Sequence, residues 1–211
     1  TKVPFIALPT TSGTGSEATK NAVISQIGKE GFKKSLRHEN FVPDIAIIDP
    51  ELTLSVPQDI TAASGMDCFT QLTESFLSDK ASEYSDALAW EGLKALKSSL
   101  VQSYNNGDDI IARTGMSFAA LTSGICLANA GLGVVHGFAS SIGGLFNVPH
   151  GVVCGTLMAP ANALIVRELR KGVENSEVIN KYISLGKLFL DAEERTDAYY
   201  VDAFIDYLRR L

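Results

Sequence analysis

A chain of 211 residues, 45% of them hydrophobic, has the apolar material for a sizeable core in one large domain or two small ones. Its net charge of −6 and pI near 5.1 argue against nucleic acid or an anionic membrane as partner, because no segment gathers Lys and Arg on the needed scale. Cys68, Cys126 and Cys154 sit in apolar contexts without CxxC spacing, which argues against a disulfide framework and suits reduced thiols in the cytoplasm.

No charged start, apolar core and small-residue cleavage site opens the chain, so no signal peptide is expected. Instead Val3 to Leu8 reads as a buried strand ended by Pro9, and Asp44 to Asp49 as another ended by Pro50. Between them Thr10 to Glu17, TTSGTGSE, is a Gly/Ser/Thr-rich turn expected to open a helix, followed by a polar connection through GFKKSLRHEN. Such a turn is a usual phosphate cradle, since free N–H groups and hydroxyls converge there; on the residues alone a plain turn is equally compatible. His38, in RHEN, reads as a solvated loop residue.

From Pro57 the pattern becomes helical. Helices are expected from Asp59 or Thr61 to Ser78, from Ser82 to Asn105, and from Asp108 to Ala130, each with apolar residues at helical spacing. A Gly-rich helix carries His136, a loop from Asn147 to Gly151 leads to a helix from Val152 that Pro160 kinks or interrupts, and Glu177–Leu190 and Asp197–Leu211 complete the set. The natural boundary falls near Pro57, with an α/β piece over residues 1–57 and an all-helical domain over 58–211.

Between Arg113 and Arg167 there is no Asp, Glu, Lys or Arg, yet His136 and His150 lie inside that run. So long a neutral stretch reads as the buried centre, where polar groups must be paired or used. Its glycines, Asn147, Pro149 and the two histidines break it before about 20 strongly apolar residues accumulate, which argues against a membrane span. Asp67 and Gln71 are four apart on one helix face, among Met66, Phe69, Leu72 and Phe76 and without Lys or Arg within one turn. A divalent metal shared with His136 and His150 would satisfy the carboxylate and both imidazoles. The bland reading makes Asp67 an exposed helix residue, His136 a hydrogen-bonded core residue and His150 a loop cap.

TTSGTGSE after its strand, then DPELTLSVP, GMDCFTQ, VHGFAS and NVPHG in that order, resemble the iron-containing (group III) alcohol dehydrogenases over nearly the whole chain. The resemblance implies an α+β, mainly α fold: part of an α/β dinucleotide-binding domain followed by the all-helical metal-binding domain, as in dehydroquinate synthase-like proteins. It implies NAD- or NADP-dependent, metal-assisted hydride transfer between an alcohol and an aldehyde or ketone, in a cytoplasmic homo-oligomer, a dimer. Asp67, His136 and His150 match three of four family metal ligands, and Gln71 stands where the fourth, usually histidine, is expected. Fe²⁺ is the implied metal, with Zn²⁺ the other candidate. Ser140 replaces a histidine that many relatives carry for proton transfer. Thr10, Thr11, Thr14, Ser16, Asn21 and Lys33 match positions lining the dinucleotide site.

The family's Gly-Gly-Gly-Ser pyrophosphate loop has no counterpart in these residues, so they are expected to be a central and C-terminal portion, inactive alone. Gly133, Gly137 and Ala139 are expected to let backbone approach the ligands closely, and Phe138, Leu145 and Phe146 are candidates for an apolar substrate lining, with helix packing an equal explanation of them. Two other readings are a zinc enzyme like glycerol dehydrogenase or dehydroquinate synthase, and a non-catalytic helical scaffold whose metal site has decayed.

Overall fold

The computed structural model describes residues 2–172, 176–190 and 195–211. These gather into two compact units, Thr1–Gly155 and Thr156–Leu211. The sequence boundary near Pro57 lies inside the first.

Two short parallel strands, β1 (Ile6–Ala7) and β4 (Ile45–Ala46), pair with Ile6 opposite Ile45. Asp44 reinforces that pairing by accepting from the Phe5 amide and from Lys2. The stretch between them departs from expectation. TTSGTGSE opens only a single 3₁₀ turn, Ser16–Ala18, and the "polar connection" is an antiparallel hairpin of β2 (Asn21–Gln26) and β3 (Phe32–Arg37). Phe32 to Arg37 lacks a clean apolar/polar alternation because neither face of the hairpin is deeply buried, so the period that reveals strands is absent.

Three long helices form the packed part of the first unit: α1 (Gln58–Leu77), α2 (Glu83–Asn105) and α3 (Ile110–Ala130). Each follows from its sequence. Ser82 and Ser85 satisfy each other's orphan backbone donors at the start of α2, and Asp109 accepts from the amides of Ile111 and Ala112 to open α3. The apolar faces bring Cys68, Phe69, Leu72, Leu93, Leu96, Met116 and Ala119 together in a core; burial of a side chain such as Leu93 contributes about 1.5–3 kcal/mol. Arg113, also buried, replaces solvent with three neutral acceptors, the Gly107 and Val56 carbonyls and the Thr61 hydroxyl, and so ties the linker before α1 to the start of α3.

TTSGTGSE lies on α3 by direct backbone contact. Gly15 has φ +59°, and a Cβ on Gly124 would stand 2.0 Å from its carbonyl oxygen. Ser12 and Ser117 hydroxyls, 3.1 Å apart, link the same two segments.

Then come α4 (Val134–Leu145) and α5 (His150–Leu169). The hairpin backbone rests on α4 where Gly144 leaves room, with the Gly28 amide donating to the Gly144 carbonyl at 3.2 Å. Two expectations are corrected here. The loop is shorter than Asn147–Gly151, since α5 begins at His150, and Pro160 does not interrupt its helix, which continues to Leu169. Proline removes a single amide donor, and the residues on either side are good enough helix formers to carry the turn through it.

The neutral run is only partly a buried centre. Its α3 portion is, but Phe138 and Phe146 are 58% and 60% exposed, with Val134, Leu145 and Val148 also open. Absence of charge marks low polarity; it does not fix which face is covered. Two helices, Ile110–Ala130 and His150–Leu169, are long and apolar enough to cross a membrane by length and composition. In α3 the residues packed on α1 and α2 account for that composition.

In the second unit, α6 (Ser176–Phe189) and α7 (Asp197–Arg210) pack as an amphipathic pair around Tyr182, Phe189 and Phe204. Tyr182 donates to the Asn162 side-chain oxygen at 2.6 Å, and Arg170 pairs with Asp202.

Candidate metal centre

Helix α1 carries two buried carboxylates seven residues apart, Asp67 and Glu74, which therefore share a stripe of the helix. Neither has a Lys or Arg partner among the ion pairs of the described residues. Both turn to His136 in the first turn of α4. Nδ1 lies 2.7 Å from Glu74 Oε2 and Nε2 lies 3.2 Å from Asp67 Oδ1, so the ring is held at both nitrogens. Glu74 also accepts from the Val135 amide at 2.7 Å, using one of the open donors that begin α4. A Cβ on Gly133 would stand 2.8 Å from Glu74 Oε1, so a glycine is what admits the carboxylate. Gly137, by contrast, faces open space, and the expectation that it brings backbone to the ligands fails.

His150 begins α5, and that turn sits on the backbone of α1. A Cβ on Gly151 would fall 1.8 Å from the Ala63 carbonyl oxygen, an approach only glycine permits. His150 Nε2 thereby comes within 3.5 Å of Asp67 Oδ1, and the two imidazole centroids are 5.3 Å apart. Cys154, one turn further along α5 on the same face, places Sγ 3.8 Å from the Nε2 atoms of both histidines. One ligand atom from each of Asp67, His136, His150 and Cys154 lies within 4.8 Å of all the others.

The donor set fits a divalent cation. It joins a buried carboxylate, two imidazoles and a thiol, with a carboxylate behind one imidazole to set its tautomer. Burial opposes protonation of His136, but its hydrogen bonds with Asp67, Cys154 and Glu74 outweigh that and push its pKa up to about 11. His150 moves the other way: burial lowers its pKa, and the charges of Lys33 and His136 add to that against the pull of Asp67. Burial raises the Cys154 thiol pKa against the favourable neighbour His136. The cluster thus demands positive charge at its centre, and one imidazole carries it when nothing else does.

Of the other residues singled out by sequence, Gln71 is buried one turn beyond Asp67, and its side-chain oxygen accepts from Ser123 Oγ at 3.1 Å. Ser140 is exposed and donates to the carbonyl of His136 within α4. Thr10, Thr11, Thr14 and Ser16 are exposed on the loop over α3, with the Ser16 amide donating to Thr14 Oγ1 at 3.3 Å. Asn21 opens β2. Lys33, half-buried on β3, runs beside Gly143 of α4. Half-buried Glu17, under that loop, has its carboxyl raised above the usual range by burial. His38 caps a 3₁₀ turn by accepting from the Asn40 amide.

Sequence reasoning missed Glu74 and Cys154. The spacing held the signal in both cases, since Glu74 is seven residues from Asp67 and Cys154 four from His150.

Residues 61–211 match the Fe-containing alcohol dehydrogenase family, C-terminal, and residues 1–50 match iron-containing alcohol dehydrogenase. The chain is 38% identical over 98% of its length to 1-propanol dehydrogenase PduQ of Salmonella typhimurium, of which it covers 54%. It is 36% identical to the NAD-dependent methanol dehydrogenase of Bacillus methanolicus over 75% of this chain and 41% of that one. Among solved structures, a 1,3-propanediol oxidoreductase superposes with a TM-score of 0.87 at 28% identity, over 98% of this chain and 52% of that one. The chain spans about half the length of the curated relatives it matches.

Proposed function

This chain belongs to the iron-containing alcohol dehydrogenase family, and on that premise we propose that it serves NAD(P)-dependent, metal-assisted hydride transfer between a small alcohol and its aldehyde or ketone. The observation that carries the reading is the convergence of Asp67, His136 and His150 from three helices on one point. When bound, a divalent metal supplies Lewis acidity at the substrate oxygen, and the nicotinamide gives or takes the hydride.

The chain's own residues do the positioning. Asp67 brings the negative charge that retains a cation, and His136 and His150 bring neutral nitrogen donors. Glu74 accepts the Nδ1 proton of His136, leaving Nε2 as the donor, and anchors the start of α4 so that the ring keeps its aim. Gln71 occupies the fourth position that the family resemblance indicates. Ser140 offers a hydroxyl where relatives carry a histidine, so any proton relay here uses that hydroxyl, water or the cofactor ribose. The exposed hydroxyls of Thr10, Thr11, Thr14 and Ser16, with Asn21 and Lys33, are proposed to line the dinucleotide site. Exposed Phe138, Leu145 and Phe146 offer apolar surface for a substrate carbon chain. The division of the chain near Pro57 is retained as a proposal, supported by the two family matches meeting between residues 50 and 61. A cytoplasmic homodimer is proposed with it, the compartment supported by three free, buried cysteines.

The test is elemental analysis of the purified chain after reconstitution, wild type beside His150→Ala and Asp67→Asn. Near-stoichiometric metal in the wild type, lost in both variants, is expected. Equal metal in all three would refute this ligand assignment.

A further inference from the structure

We propose that Cys154 supplies the fourth donor of this metal centre as a thiolate, making an Asp-His-His-Cys site suited to zinc. The inference rests on the reading of Asp67, His136 and His150 as metal ligands and concerns what completes the set.

Three observations carry it. Gln71, at the position indicated for the fourth ligand, has its side-chain oxygen engaged by Ser123 on α3. Cys154 is fully buried, lies on the same face of α5 as His150, and has its sulfur equidistant from both Nε2 atoms at 3.8 Å. The separations also fit one ion. Tetrahedral bonds of about 2.0–2.1 Å to nitrogen or oxygen and about 2.3 Å to sulfur put nitrogen and oxygen about 3.3 Å apart, and sulfur and nitrogen about 3.6 Å apart. Four of the six separations among these atoms are close to that: 3.2 and 3.5 Å for His136 and His150 against Asp67 Oδ1, and 3.8 Å for each against Cys154 Sγ. The four donors all lie within 4.8 Å of one another, and drawing them inward onto one ion completes the shell.

The chemistry of the donors then favours a softer ion. Exchanging a neutral amide oxygen for a thiolate makes the site softer, and thiolate with imidazole is a zinc set, whereas carboxylate and amide oxygens favour harder cations. On binding, the thiol loses its proton to solvent as the sulfur–metal bond forms, with no change of oxidation state.

The test loads the 211-residue chain with Co²⁺ and, separately, with Zn²⁺. Wild type is expected to show the near-ultraviolet sulfur-to-cobalt charge-transfer band, absent in Cys154→Ser and kept in Cys126→Ser. Changing a group behind a ligand already costs about 10–100-fold in metal affinity, so Zn²⁺ retention against a chromophoric chelator should fall about 100-fold or more in Cys154→Ser. X-ray absorption of the zinc-loaded wild type needs no variant and should show one sulfur at about 2.3 Å. Metal bound without sulfur in that shell, or held equally tightly by Cys154→Ser, overturns the thiolate while leaving the metal centre standing. No uptake of either metal by the wild type overturns the metal centre, and this inference with it.

Discussion

The helical bundle and the strands of the first unit are held in opposite ways. In the bundle, side chains do the work: Cys68, Phe69, Leu72 and Leu93 have no exposed surface at all. In the strands, Ile6, Val23, Ile24, Leu36 and Ile45 all stay at least 47% exposed, and what fixes them is backbone lying on backbone at Gly144 and, through the adjoining loop, at Gly124. The difference teaches where each half is fragile. A bundle loses stability when volume is removed, whereas a backbone-seated loop loses it when a single methyl group is added.

The sharpest way to break this contrast is Gly124→Ala. The new Cβ would overlap the Gly15 carbonyl, flanked by rigid backbone on both sides, and a loss of about 4 kcal/mol or more is expected in chemical denaturation. A cost below about 1 kcal/mol would show that the loop is seated some other way. Next comes Leu93→Ala, which removes a fully buried side chain and should cost about 3 kcal/mol by the same measurement. The smallest effect sharpens the comparison from the other side. Ile24→Ala on β2 deletes a larger apolar group than Gly124→Ala adds, yet at 50% exposure it should shift stability by no more than about 0.5 kcal/mol.

The same contrast explains what could be read in advance. Helices α1 to α3 were legible because their apolar residues recur at helical spacing and their starts carry Ser82 and Asp109. The hairpin was not, because a strand pair without a deeply covered face need not alternate. Pro160 does not interrupt α5, because the effect of a local breaker depends on the helix formers on either side of it. At the site, Asp67, His136 and His150 were visible as polar residues in apolar company, and the structure brings all three together. Glu74 and Cys154 were hidden for want of a partner, since a carboxylate in a helix and a cysteine among valines both have ordinary explanations until the chain that faces them is known.

All of the converging groups are referenced to one rod. Asp67 and Glu74 belong to α1, the start of α4 hangs from Glu74, and the start of α5 rests on Ala63 of the same helix. The segment 131–133 belongs to that registration, since Ser75 of α1 donates to the Gly131 carbonyl and Gly133 seats Glu74, whereas 146–149 acts as a slack coupling between parts already set against a common datum. Changes in its length need not reach the donor atoms, so the centre can hold its dimensions while that connection drifts.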